Sequence, residues 1–227
     1  MSEKIGSWKS EAVAAARPAG ARSFPAELML HVLLSPRYTG WPVIVKPGAA
    51  VLDVGALHGA NLAPFADRGC ECHGVEINAE MVDLARTACA EQGVRAEIRQ
   101  GVNTSLPYEH EAFDLLISVN VIHYEDDGAG LDAALAEYAR VLKPGGRAFI
   151  VSPGPGHFIR DTAERLGANR YRLSHDDFRK GQVMAYFEDD ADLKARCAQR
   201  FRRVVTGRST ERHPAASLDF FYALAER

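Results

Sequence analysis

Glu76 is the residue with the clearest chemistry in this 227-residue chain. It ends the run Cys72-His73-Gly74-Val75-Glu76 and follows the turn Gly55-Ala56-Leu57-His58-Gly59. The interval is roughly 20 residues, where α/β nucleotide-binding folds place a ribose-binding carboxylate. A carboxylate offers two acceptor oxygens, enough for both hydroxyls of a ribose. The turn itself is preceded by the apolar run Val51-Leu52-Asp53-Val54 and followed by a helix-like segment from Ala60. A parallel strand hands over to a helix in this way around a nucleotide-like ligand. Glycines let the backbone approach it, and the helix start offers N–H groups. Together these features point to a nucleoside-containing cofactor. Three further side chains have the chemistry to handle a proton or anchor a second reactant. They are His123 and Tyr124, just after Asn120-Val121-Ile122, and His157 in Pro153-Gly154-Pro155-Gly156-His157.

Positioning these groups falls to an alternation of strands and helices that begins near Ala49. Strands are predicted at Ala50–Val54, Glu71–Glu76, Val94–Arg99, Phe113–Val119 and Arg147–Ser152. Helices are predicted at Ala60–Arg68, Ala79–Gln92 and Leu131–Leu142, the second with Met81, Leu84, Ala85 and Ala88 on one face. Such alternation implies a mostly parallel sheet with helices on both faces. Before it, Phe24–Leu34 carries Leu28, Val32 and Leu33 at helical spacing, while residues 1 to about 20 look loosely ordered. Residues 1–48 therefore read as an N-terminal helical or lid segment and 49–227 as one domain. After residue 153 a Gly/Pro turn leads into a polar segment, Arg160 to Lys180, and a helix at Asp190–Arg200. Two strand-like runs, Arg203–Gly207 and Asp219–Ala225, then suggest an antiparallel closing pair at the sheet edge.

The motifs, taken in order, resemble the class I S-adenosylmethionine-dependent methyltransferases. Val51-Leu52-Asp53-Val54-Gly55 with Gly59 is similar to the family's glycine-rich first motif. Gly74-Val75-Glu76-Ile77-Asn78 with Met81-Val82-Asp83-Leu84-Ala85-Arg86 is similar to the second. Leu106-Pro107-Tyr108 before Phe113-Asp114-Leu115-Leu116-Ile117-Ser118, and Leu142-Lys143-Pro144-Gly145-Gly146, match the approaches to the fourth and fifth strands. The resemblance spans about residues 49 to 151, and the closing strand pair extends it. It implies a Rossmann-like methyltransferase fold, with a seven-stranded mostly parallel sheet, an antiparallel C-terminal strand pair and helices on both faces. It implies S-adenosyl-L-methionine as cofactor, held by Asp53, Gly55, Gly59, Asn61, Glu76, Ile77, Met81, Asn103, Thr104 and Asn120. Two positions depart from the family pattern. Leu57 stands where a glycine is common, and no acid follows the third strand, so the amide oxygen of Asn103 is the acceptor offered to the adenine amine.

Methyl transfer is an in-line displacement at a carbon activated by a sulfonium, so the protein mainly aligns the acceptor. A base helps when the acceptor is a hydroxyl or a protonated amine, and His123, His157 and Tyr124 are the candidates, with packed rim residues as the plainer account. Tyr38 and Trp41 offer either an aromatic lid or core packing. Arg160, Arg165, Arg170, Arg172, Arg179 and Lys180 could recognise an anionic acceptor such as a sugar or nucleotide-sugar derivative. Asp161, Glu164, Asp176 and Asp177 equally offer them partners on a solvated face.

Composition narrows the partners. A formal charge of −3 with 25% charged residues gives no general nucleic-acid surface. No signal-like or membrane-length apolar run is present, so a cytoplasmic protein without membrane contact is expected. The four cysteines are too scattered for a disulfide framework, and Cys70-Glu71-Cys72-His73 lacks a second ligand pair, so no metal is expected. Asn120-Val121-Ile122-His123 is not the Asn-Pro-Pro-Tyr-like motif of enzymes that methylate DNA or glutamine amino groups. The expected partner is a small-molecule acceptor, with a homodimer possible through the apolar face of Phe24–Leu34. Two alternatives stand beside this one. An NAD(P)-binding oxidoreductase would need Gly-x-Gly-x-x-Gly, which Gly55–Gly59 does not supply. A non-catalytic methyltransferase-like subunit would be consistent with Leu57 and the missing acid.

Overall fold

The computed structural model describes residues 24–41 and 45–227. The predicted loose order of the first 20 or so residues lies outside that range. In chain order the elements are α1 (Glu27–Leu34), α2 (Pro36–Thr39), β1 (Ala50–Val54), α3 (Ala63–Ala66), β2 (Glu71–Glu76), α4 (Ala79–Glu91), β3 (Ala96–Gln100) and β4 (Phe113–Val119). A 3₁₀ turn (Ile122–Tyr124), α5 (Gly128–Val141), β5 (Leu142–Pro153), β6 (Glu164–Gly167), β7 (Arg170–Arg172), β8 (Val183–Ala185), α6 (Asp190–Ala198), β9 (Arg203–Arg212) and β10 (Ser217–Glu226) follow.

Seven strands form one sheet in the order β3-β2-β1-β4-β5-β10-β9. β1 to β5 pair in parallel, and β10 runs antiparallel to both β5 and β9. The Rossmann-like methyltransferase architecture anticipated from the motifs is therefore the one observed. The chain reverses order on passing from β3-β2-β1 to β4-β5, and this switch opens a crevice at the carboxyl edge. All five residues of β1 are buried, because the strand is flanked on both sides and covered on both faces. Alternation sorts them: Leu52 and Val54 join Leu116 and Ile150 beneath α5 and α6, while Val51 joins Leu115, Ile117 and Phe149 beneath α1, α3 and α4. Met29, Val32 and Leu33 of α1 belong to that second cluster.

Three differences from the sequence expectation have local causes. First, α3 is one turn, Ala63–Ala66, since residues before it are taken up by the glycine turn. Second, β5 starts directly after α5. Phe113 pairs with Leu142 and Leu115 with Arg147, so the Pro144-Gly145-Gly146 turn is a bulge inside the strand. Third, the polar stretch after residue 160 is no mere surface insertion. It forms a second, three-stranded antiparallel sheet, β6-β7-β8, that caps the 3₁₀ turn. The signal was short: Arg170-Tyr171-Arg172 alternates exposed, buried, exposed.

Candidate active site

A cavity of about 400 Å³ opens at the carboxyl edge between the ends of β1, β2 and β4 and the loop after β3. Gly55, at the end of β1, has φ +74°, and its N–H donates to the Val75 carbonyl at 2.8 Å. A Cβ there would lie 2.5 Å from Val121 Cγ2, so glycine is what allows the turn to pass the β4 end. Leu57 adopts φ +45° without being glycine, a conformation costing about 1 kcal/mol. Its N–H donates to Glu76 Oε1 at 2.7 Å, and its side chain packs with Ile77 against Met81 and Leu84. The residue that departs from the family's glycine thus supplies an apolar wall and locks the first motif to the second.

Glu76 is 6% exposed, and Oε2 accepts from its neighbour's N–H, that of Ile77, at 3.3 Å. Burial raises its pKa, and the Leu57 and Ile77 N–H groups oppose the rise. Asp53 lies deeper, 1% exposed, with neither carboxyl oxygen in a hydrogen bond. Burial above all, then the Glu76 charge, pushes its pKa well above the usual carboxylate value, and the Asn61 amide beside it offsets only part. At the end of β4, Asn120 has φ +57° and donates its N–H to the Val151 carbonyl at 3.0 Å. Its side-chain oxygen is buried without a hydrogen-bond partner. Thr104 and Tyr124 complete the predicted residues on the cavity wall, with Gly55, Glu76, Ile77, Met81, Asn103 and Asn120.

Asn103 is on the wall, but its amide serves the interior. Its oxygen accepts from Tyr138 Oη at 2.7 Å, and its nitrogen donates to the Val121 carbonyl at 3.3 Å and Glu125 Oε1 at 3.1 Å. The oxygen proposed for the adenine amine is thus turned toward the core, because buried Tyr138 needs an acceptor there. Asp53, Gly59, Asn61, His123 and His157 do not line the cavity. A Cβ on Gly59 would fall 2.3 Å from Cys89 Sγ, so this glycine seats the turn on α4 rather than on a ligand. Asn61 Oδ1 accepts from Ala26 N–H at 3.0 Å and ties the start of α1 to the turn.

The two histidines lie behind the wall, toward the cap. His123 is 1% exposed and sandwiched between Tyr124, at 4.6 Å between ring centroids, and Tyr186, at 5.4 Å. Neither ring nitrogen has a partner. Burial, followed by Arg179, His157 and Arg160, pulls its pKa down to about 3. His157 packs between Phe158 and Phe220, and burial followed by Arg179 brings its pKa to about 4. Its Nδ1 accepts from Ile159 N–H at 3.2 Å, so in the neutral ring the hydrogen sits on Nε2.

Trp41 is not near the cavity. It is held between the guanidinium groups of Arg147, 4.2 Å from the ring centroid, and Arg203, at 4.1 Å. Both lie at the amino edge of the sheet, the opposite end from the crevice, so the lid option is replaced by packing. Tyr38 stacks on His31 at 4.8 Å and is largely exposed. Sequence reasoning also missed Val119, Val121, Glu125 and Asp126 on the wall. The available signal was position, since each follows or ends a strand at the carboxyl edge.

The seven-stranded sheet with its reversed final pair, and a carboxyl-edge crevice holding a buried strand-end glutamate, define a class I methyltransferase fold. Residues 52–150 match the family described as Methyltransferase domain. Among curated relatives, an uncharacterized methyltransferase of Bacillus subtilis is 36% identical over 44% of this chain and 39% of its own length. A demethylmenaquinone methyltransferase of Tropheryma whipplei is 33% identical over 47% of this chain and 42% of its own. The chain thus spans less than half the length of these relatives. A SAM-dependent methyltransferase from Methanosarcina mazei shares the fold, with a TM-score of 0.66 at 19% identity over 80% of this chain and 93% of the other. No helix among the described residues is long and apolar enough to cross a membrane.

Proposed function

We propose that this chain transfers a methyl group from S-adenosyl-L-methionine to an oxygen or nitrogen of a small-molecule acceptor. The observation that carries this is a pair of buried polar groups on one cavity wall: the Glu76 carboxylate and the Asn120 amide oxygen, which lacks a partner. They match a ligand with a ribose diol at one point and an ammonium group at another. Leu57, Ile77, Met81 and Val102 give the apolar surface a purine needs. When bound, the cofactor supplies a methyl carbon activated by a positively charged sulfur. The chain's own residues bind and orient: Glu76 on the ribose hydroxyls, Asn120 on the ammonium, Gly55 letting the backbone pass close. Tyr124 closes the acceptor side of the wall.

Neither histidine suits general-base work. With pKa values near 3 and 4, both are neutral and weakly basic at physiological pH, and His157 presents an N–H rather than a lone pair at Nε2. Their part is to orient the acceptor. The demethylmenaquinone methyltransferase similarity supports a small-molecule acceptor for this chain. Titration calorimetry with S-adenosylhomocysteine tests the proposal. The wild type should bind, and Glu76→Ala should weaken binding at least about tenfold, the worth of its charge-assisted hydrogen bonds. Absence of wild-type binding at millimolar ligand refutes it.

A further inference from the structure

The 160–180 segment carries many cations, yet their placement argues against an anionic acceptor. Arg165 pairs with Glu188, Arg172 with Glu164, Arg179 with Asp177, and Lys180 with Asp176. Arg170 points outward on β7. Arg160 is buried, but its guanidinium is committed to the protein. It donates to the Pro153 carbonyl at 3.2 Å, the Phe187 carbonyl at 2.9 Å and Tyr171 Oη at 3.2 Å, and lies over the Tyr171 and Tyr186 rings. It clamps the cap onto the end of β5. Arg179 is the one that faces inward, beside Tyr124 and His123, and its charge is already neutralised by Asp177.

What the cap turns inward is apolar and aromatic. Ile159, Tyr171, Leu173, Met184 and Tyr186 form one buried cluster, and Tyr124 packs against it. Tyr124 also belongs to the wall of the cofactor cavity, so cap and cavity share a residue. Beside this cluster, at the adjacent ends of β4 and β5, three buried polar atoms other than the Asn120 oxygen assigned to the cofactor have no hydrogen-bond partner. They are Nδ1 and Nε2 of His123 and Oγ of Ser152. A buried polar group without a partner is costly to the fold. Such a concentration at one strand edge marks a place built for a ligand's polar atoms.

We infer that the acceptor is an uncharged, flat aromatic molecule bearing a hydroxyl or amine, received against the Tyr124 wall of the cavity, where it meets the cap, with its polar head toward His123. The proposal rests on the methyltransferase reading and adds the acceptor class. His123 acts as a neutral ring that accepts from the acceptor's O–H or N–H through one nitrogen and donates through the other. The groups facing it are Tyr124 and Tyr186 across its two faces, with Arg160, Arg179 and His157 nearby.

The test uses the full chain saturated with S-adenosylhomocysteine, whose own binding is measured first. 2-Naphthol, catechol and glucose 6-phosphate are then titrated by calorimetry, and the imidazole nitrogens are followed by ¹⁵N NMR. One of the aromatic probes should bind and shift the His123 nitrogens, and glucose 6-phosphate should do neither. His123→Phe, which keeps the stack, should weaken that probe at least about tenfold, the loss of two neutral hydrogen bonds, and leave S-adenosylhomocysteine affinity within about twofold. Because the nitrogen shifts are read on the wild type, a variant that fails to fold does not remove the test. Preference for glucose 6-phosphate, or no aromatic binding at 10 mM (roughly the −3 kcal/mol level) with S-adenosylhomocysteine bound, overturns the inference. Failure of S-adenosylhomocysteine itself to bind overturns the methyltransferase reading instead.

Discussion

Asp53→Asn should make the protein increasingly more stable than wild type as pH rises, although it alters the heart of the first motif. Asp53 is 1% exposed, its carboxyl oxygens are unpartnered, and the Glu76 charge is close by. All of this favours the neutral acid in the folded state. The unfolded chain gives up that proton near pH 3.9, while the folded chain keeps it to higher pH. Between those two values the unfolded state binds fewer protons, so folding stability falls by about 1.4 kcal/mol per pH unit and is constant above the folded pKa. Asparagine carries no such penalty. In a chain of this length 1 kcal/mol corresponds to about 2–4 °C, so the Tm difference between variant and wild type should grow by about 3–6 °C per pH unit. The asparagine amide adds an offset that does not vary with pH, which makes the slope the informative quantity. Melting curves by circular dichroism from pH 4 to 8 give it directly, and the plateau marks the folded pKa of Asp53. A difference that stays flat across this range would mean that Asp53 is ionised in the fold, and the burial argument would be wrong.

His123→Phe should show the opposite pH dependence. The wild-type imidazole, held near pKa 3, is protonated in the unfolded chain first, so wild-type stability drains away as pH falls from about 6.5 toward 3, and the variant, which keeps His157 but not this ring, loses less. Equal acid sensitivity of the two proteins in melting experiments would contradict this. Tyr138→Phe removes a hydroxyl placed 3.0 Å from Ser118 Oγ and 2.7 Å from Asn103 Oδ1, leaving buried groups unpaired. A loss of about 2 kcal/mol, or about 4–8 °C in Tm, should follow, with weaker S-adenosylhomocysteine binding because Asn103 lines the cavity. Gly59→Ala should destabilise by about 2 kcal/mol or more, combining φ +69° with a Cβ driven into Cys89 Sγ. Adding Cys89→Ala should restore part of the loss by removing the collision, and urea denaturation of the single and double variants measures both.

Strand and helix alternation was legible because β1, β2 and β4 are short runs with buried apolar residues, each closed by a turn or an acid. β2 and β4 fall at the predicted bounds, and Glu76 ends β2 on the cavity wall. Tight local steric rules write such features into neighbouring residues. Side-chain direction is a different matter. Nothing near Asn103 in sequence says that its oxygen turns to Tyr138, 35 residues away, and Arg160 reads as a surface cation until Pro153 and Phe187 present their carbonyls to it.

The same division applies to the turn that Glu76 faces. Sequence alone determined a nucleoside-type crevice, because the glycines, the strand-end acid and their spacing are local constraints on backbone shape. Only the tertiary structure decided what each residue does within it. Gly59 supports α4, Leu57 forms a wall of the cavity, and the histidines sit behind Tyr124 as neutral rings. Burial and partner choice depend on segments far apart in the chain, and those meet only when the sheet closes and the cap folds over its edge.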